Sequence, residues 1–279
     1  MYTAKGFLLE KPEAIFIFKD MMQKDFANKV IEIIQQDSNV IGLAAAGSWI
    51  TDELDEYSDL DLVLITKKKI GSDKEKMLVY AKQFGDFITG FTGEHVGEPR
   101  VLICLYDNPL LHVDIKFLTL TEFQQRVENP VILFERNNQL SETINTTTAV
   151  WPTPDYQWIE DRFWIWVHYI ATKIGRGEYF ECIDGLGFIR LNVLAPLLHI
   201  KNKNQPRGLR KVETKLSLAD LENLKITLAQ YNRASVITAL DNTISIYKSL
   251  RRKLYSDTIQ LQVKAEKKGL EYFKKIKNV

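Results

Sequence analysis

Two short apolar runs joined to polar residues constrain this chain more than any other feature. Val40 to Ala46 (VIGLAAA) runs into Gly47-Ser48, and ten residues later Asp59 to Thr66 (DLDLVLIT) opens with two aspartates one strand step apart. Runs of this length bounded by turn residues read as buried strands. Because strand side chains alternate, Asp59, Asp61, Val63 and Ile65 share one face, and Leu60, Leu62 and Leu64 the other. Two carboxylates therefore point the same way at the entrance of a buried strand, where unpaired charge is strongly unfavourable. A divalent cation resolves that cost, and Mg²⁺ prefers hard oxygen ligands, few from protein and the rest from water and substrate phosphate. Gly47 lets the backbone approach a phosphate closely. The amides and hydroxyl around Ser48 can donate to it, particularly if a helix starts there.

A third acid fits this arrangement. Leu110 to Leu118 (LLHVDIKFL) reads as a strand carrying Asp114, Arg100 to Tyr106 (RVLICLY) as another, and Asp107-Asn108-Pro109 supplies turn residues between them. If the two form an antiparallel hairpin beside Asp59–Thr66, Asp114 reaches the same cation. Three carboxylates around two cations give the clamp used in phosphoryl and nucleotidyl transfer.

With Gly47-Ser48, Asp59-x-Asp61 and the later strand acid Asp114 in place, and a helical domain following the small sheet, the sequence resembles the DNA polymerase beta-like nucleotidyltransferase superfamily. Within it, the likeness is to the bacterial aminoglycoside and lincosamide nucleotidyltransferases, at motif level over roughly residues 20–120. The resemblance implies that Gly47, Ser48 and their turn hold the β/γ-phosphates of a nucleoside triphosphate. It implies that Asp59 and Asp61 bind two Mg²⁺ ions, and that Asp114 binds the catalytic one and helps deprotonate the acceptor. The helical domain of such enzymes often lends a Lys to the triphosphate, which implies Lys173, with Arg207 and Arg210 as alternatives. Many relatives carry Arg-Gly shortly after the Gly-Ser; here the positions read Trp49-Ile50-Thr51-Asp52, without that positive charge. The expected fold class is α+β, a nucleotidyltransferase domain with a mixed sheet over 1–150, followed by an all-α helical bundle over 151–279. The expected reaction moves an NMP group, AMP from ATP, to a hydroxyl of a small molecule such as an aminoglycoside-like antibiotic, releasing pyrophosphate. The alternatives are an antitoxin-type enzyme that modifies a HEPN-type ribonuclease toxin, and a catalytically silent nucleotide-binding module.

Composition sets the outer limits. With 279 residues, 45% of them hydrophobic, the chain can bury two cores. No charged-then-apolar leader is evident, and no uninterrupted apolar run reaches the roughly 18–20 residues a bilayer demands, so the expectation is a cytoplasmic protein without a membrane partner. Cys104 and Cys182 lie far apart among apolar neighbours and read as buried thiols. A net charge of +1 argues against a protein devoted to nucleic acid. Residues 251–279 do concentrate nine Lys and Arg against three acids, which reads as a solvated face on a terminal helix.

Along the first part, Met21, Met22, Phe26, Val30, Ile33 and Ile34 recur at helical spacing, and Ser72 is placed to cap a second helix from about Asp73 to Ile88. Gly90 to Pro99, with three glycines and a proline, reads as a loop in which Glu94 is an alternative to Asp114 as general base. Asn145 to Pro154 (NTTTAVWPTP) reads as a linker. Beyond it, helices are expected over roughly 156–175, 179–201, 217–230, 232–254 and 257–277. The aromatic residues of the first, Tyr156, Trp158, Phe163, Trp164, Trp166 and Tyr169, read as core packing, with an aromatic wall that stacks on the nucleobase or acceptor as the alternative. The four histidines show no ligand spacing, and His112, two residues before Asp114, reads as a packed histidine.

Overall fold

The computed structural model describes residues 13–278, with side chains from Met22 onward. The chain divides into two compact units with the boundary between Trp151 and Pro152.

In the first unit, α1 (Glu13–Ile34) precedes β1 (Val40–Ala45) and β2 (Leu60–Thr66). There follow α2 (Lys74–Ala81), β3 (Asp86–Gly93), β4 (Glu98–Asp107), β5 (Leu111–Leu118), α3 (Leu120–Phe123), β6 (Val131–Glu135) and α4 (Gln139–Thr146). The six strands form one mixed sheet in the order β3-β4-β5-β2-β1-β6. The β2–β5 pair is parallel and every other neighbouring pair antiparallel. One face buries Leu60, Leu62 and Leu64 of β2 and Val113, Ile115 and Phe117 of β5 against Phe26, Val30 and Ile34 of α1 and Met77 and Ala81 of α2. On the other face Val63, Ile65 and Leu118 pack with Phe123 of α3 and Leu140 of α4. That second cluster is smaller and includes neither β3 nor β4.

Three local expectations are corrected. The cap of α2 is Asp73, whose carboxylate accepts from Lys76 N at 3.2 Å, while Ser72 occupies a left-handed turn at φ 74°. The helix stops at Ala81, and the segment read as helix end and glycine loop is strand β3, paired antiparallel with β4. Gly90 is there for close packing and not for a turn: an added Cβ would come within 3.2 Å of both the Ile103 carbonyl and the Phe87 ring. Only Glu94–Val96 and Gly97, at φ 78°, make the connection to β4.

The second unit is helical: α5 (Tyr156–Arg176), α6 (Tyr179–Ile189), α7 (Ala195–Lys201), α8 (Val212–Lys215), α9 (Leu218–Lys225), α10 (Arg233–Leu254) and α11 (Val263–Lys277). A π-helical turn, Arg190–Leu194, joins α6 to α7. Pro196 follows it, and a proline there has no N–H to give and crowds the carbonyl four residues back, which a wider turn accommodates. The continuous helical stretch Tyr179–Lys201 is the one segment among the described residues long and apolar enough to cross a membrane by length and composition; half of its most apolar window is buried in the unit. The core gathers Phe163, Val167, Ile170 and Ile174 of α5 with Leu186, Leu194, Leu240, Tyr247 and Phe273. The last helix begins at Val263, six residues later than its periodicity suggests, because the preceding strand of backbone is tied to α5: Gln260 N donates to Gln157 Oε1 at 2.8 Å and Gln262 N to Glu160 Oε1 at 3.0 Å. Cys104 and Cys182 are free and buried, and burial pushes their thiols up to about 12 and about 11.

Glu160 is fully buried and accepts from Trp164, Tyr247, Arg251 and Gln262; Arg251 in turn reaches Glu266 at 2.8 Å. Removing one member of such a network strands the charge of the other. Glu160→Ala is expected to lose about 3–5 kcal/mol of stability, read from the midpoint of denaturant unfolding. At the start of β4, burial works against the Glu98 carboxylate, but hydrogen bonds and charge from Arg100 and Lys116 outweigh it and hold the pKa at about 2. A carboxyl depressed on folding stabilises above its unfolded pKa, near 4.3, and loses that contribution as pH falls toward 2. Unfolding midpoints of the wild type are therefore expected to fall between pH 5 and pH 2 by more than those of Glu98→Gln.

Candidate active site on the sheet

The parallel pairing of β2 with β5 sets Asp61 directly opposite Asp114. Neighbouring strands run about 4.8 Å apart, so the two carboxylates leave the same face side by side. Leu60 and Leu62 on one strand and Val113 and Ile115 on the other bury the opposite face, which fixes this register. Both acids are partly buried, as is Asp59, which stands one residue before β2.

The Gly47-Ser48 turn lies against Asp61. Gly47 adopts φ 60°, a left-handed conformation suited to glycine, and Gly47–Trp49 makes a single 3-10 turn, not the start of a longer helix. A Cβ at Gly47 would overlap the Asp61 carboxylate. The backbone is thus brought onto Asp61 as closely as a residue without a side chain allows, and Ala46 N donates to the Asp61 carbonyl at 2.9 Å. The loop from Thr51 to Asp59 is held from α1: the buried Gln23 amide donates to the Ser58 carbonyl at 2.9 Å, and Ser58 Oγ donates to Asp55 Oδ1 at 2.8 Å.

Register carries the site further across the sheet. Asp114 pairs with Ile103 of β4, and Ile103 with Phe91 of β3, so Phe91, Ile103, Asp114 and Asp61 form one row across four strands. Phe91 is 49% exposed and Ile103 half-buried. The sequence reading missed Phe91 because the glycines and proline of Gly90 to Pro99 mark a loop, and the register shift between Phe87 and Thr89 breaks the alternation that would have marked a strand.

His112 is not packed. Its ring is exposed, and Nε2 donates to Asp114 Oδ1 at 2.9 Å. The two-residue spacing was the available signal, since it places both side chains on one face. Glu94 lies in the β3–β4 turn, three residues beyond Phe91 and two strands across the sheet from Asp114. Its carboxylate accepts a short hydrogen bond from Thr92 and is exposed. Lys173 is committed within the helical unit, 2.6 Å from Glu178 and 2.9 Å from Glu181, and those bonds hold its ammonium above the ordinary lysine range. Arg207 and Arg210 lie in the irregular segment before α8.

Among the described residues, no group of three or more His, Cys, Asp and Glu side chains is gathered closely enough to hold a metal ion by itself. What the sheet presents is a pair of hard-oxygen donors, Asp61 and Asp114, with the side-chain-free Gly47 against Asp61.

No known family profile matches the chain, and no curated protein sequence does. The chain is similar to solved nucleotidyltransferases. An aminoglycoside 6-adenyltransferase from Bacillus subtilis aligns over 91% of this chain and 98% of its own at 13% identity and a TM-score of 0.39. A nucleotidyltransferase-like protein from Exiguobacterium sibiricum aligns over 89% and 78% at 14% identity and a TM-score of 0.32. A spectinomycin adenyltransferase from Enterococcus faecialis, solved with ATP and spectinomycin, aligns over 92% and 99% at 11% identity and a TM-score of 0.28. Likenesses this distant carry no weight for activity, which rests on the geometry of this chain.

Gly47→Ala forces a side chain into a left-handed turn and onto the Asp61 carboxylate. It is expected to cost about 1–3 kcal/mol, measured by denaturant unfolding, and a variant as stable as the wild type would show that the turn does not press on Asp61.

Proposed function

We propose that this chain is a Mg²⁺-dependent nucleotidyltransferase that moves an NMP group, AMP from ATP, to a hydroxyl of a small molecule and releases pyrophosphate. The observation that carries the reading is the Asp61–Asp114 pair beside the left-handed Gly47 turn. Mg²⁺ is commonly bound through one or two carboxylates plus substrate phosphates, so a pair without a third protein ligand suits it. In this reading Asp61 and Asp114 hold the ion, and Asp59, just ahead of β2, is the third carboxylate that joins when nucleotide and two ions are present. Bound there, Mg²⁺ would neutralise phosphate charge and polarise the α-phosphorus.

The chain's own residues then have separate tasks. The backbone amides of the Gly47-Ser48 turn and the Ser48 hydroxyl donate to the β- and γ-phosphates. In-line displacement needs the attacking oxygen opposite the leaving group. With pyrophosphate on the β1 side, the acceptor hydroxyl approaches from the Asp114 side, over Ile103 and Phe91. The acceptor oxygen bonds to the α-phosphorus, the bond to the bridging oxygen breaks, and the hydroxyl proton passes to Asp114, oriented by His112. Lys173 is retained as a triphosphate partner only on the condition that it exchanges Glu178 and Glu181 for phosphate oxygens. The motif-level resemblance of the sequence to aminoglycoside nucleotidyltransferases makes an aminoglycoside-like acceptor the first class to try.

The test is pyrophosphate release with Mg·ATP and a panel of hydroxyl acceptors. Asp61→Asn is expected to lower turnover at least about 100-fold with an unfolding midpoint no lower than that of the wild type, since it also relieves the repulsion between the two acids. Phe91→Ala is expected to raise the acceptor KM several-fold while leaving kcat near wild type. An Asp61→Asn enzyme that keeps most of its rate contradicts the proposal. Nucleotide-induced thermal stabilisation without release for any acceptor would favour the silent binding module instead.

A further inference from the structure

We propose that the helical unit binds a small organic cation in a cavity between α5 and α6. The cavity measures about 270 Å³ and lies wholly within that unit. Its floor is Ile170, brought close because α6 presents Gly185 there: a Cβ on Gly185 would come within 3.0 Å of the Ile170 side chain. Its walls are aromatic. Trp166 and Phe188 meet edge-on with centroids 5.2 Å apart at 72°, and Tyr169 lies one helical turn along α5 from Trp166. Tyr169 and Phe188 are 47% and 44% exposed, so large ring faces are left open to solvent.

The charge of the lining selects the ligand. Its charged groups are two carboxylates, Glu181 and Asp184. Glu181 is held by the Tyr169 hydroxyl and by Lys173, and those bonds keep its pKa below the usual carboxylate range, so it stays ionised at neutral pH. Asp184 is exposed, and among the described residues no hydrogen bond or ion pair engages it. An anion would be repelled by both groups. A neutral ligand would leave the Asp184 charge without a partner. An ammonium group gains from ring faces and carboxylates together, and its attraction to this surface is already visible: Lys173 Nζ sits 5.1 Å from the Tyr169 ring centroid. Lys173 is itself balanced by Glu178 at 2.6 Å, which leaves the positive charge of a ligand to meet Asp184. The volume falls near the lower end of ordinary ligand pockets and restricts the occupant to a single ring or an alkylammonium head.

The experiment compares choline with its neutral isostere 3,3-dimethylbutan-1-ol, titrated into the full chain without nucleotide or metal and followed by tryptophan fluorescence. Choline is expected to give a saturable change that disappears in Trp166→Phe, with affinity about 5- to 30-fold above that of the alcohol, as a partly desolvated cation–π contact of about 1–2 kcal/mol implies. Asp184→Asn is expected to weaken choline several-fold and leave the alcohol unchanged, whereas Phe188→Leu weakens both. Both variants alter exposed positions, and circular dichroism verifies their fold. Equal binding of the two probes, a choline response that survives Trp166→Phe, or no saturable response overturns the proposal. Because the assay involves neither nucleotide nor turnover, its outcome is independent of the transferase reading.

Discussion

Two carboxylates fixed side by side, Asp61 and Asp114, are the constraint on which the sheet unit turns. Charges at roughly the spacing of adjacent strands repel by about 3 kcal/mol at an effective dielectric near 20, a cost that a fold without a use for them has every reason to avoid. The register cannot relax it. A slip of one residue in β2 or β5 would turn the acids into the cluster that packs under α1 and α2 and bring Leu62 or Ile115 out to the open face. The apolar residues thus hold the acids in place by being buried themselves.

On the proposed reading, the surroundings suit a ligand of opposite charge. Gly47 strips the adjacent backbone of a side chain where Asp61 is nearest, and Gln23 reaches out of α1 to pin the loop that leads into Asp59. The smaller cluster on the acid face covers β1, β2 and the end of β5 but leaves Ile103 and Phe91 partly open beyond Asp114. One row across the sheet therefore runs from a bare turn, through two acids, to an apolar shelf. The helical unit supports itself through a different device, the buried Glu160 network, which ties α5 to α10 and to the start of α11.

The sequence disclosed what strand periodicity encodes directly. Alternation placed Asp61 with Val63 and Ile65, the Asp107-Asn108-Pro109 turn marked the β4–β5 hairpin, and the helices of the second unit were visible in their apolar spacing. It was silent where backbone conformation or partner identity decides. Gly90 looked like loop punctuation because nothing in the sequence says that it faces the Ile103 carbonyl. Ser72 reads as a cap by residue type, and only its positive φ, which the sequence does not show, rules it out. His112 was read as packed since its exposure depends on which face α3 and α4 leave uncovered. Gln23 gave no signal at all, because its role arises from a loop thirty-five residues away.

The most direct test of the central claim is anomalous scattering from Mn²⁺ in crystals grown with a non-hydrolysable ATP analogue. The account predicts a peak between the side chains of Asp61 and Asp114 with the triphosphate lying against Gly47-Ser48. A nucleotide bound with no metal at those carboxylates, or metal and triphosphate found elsewhere on the chain, would contradict it.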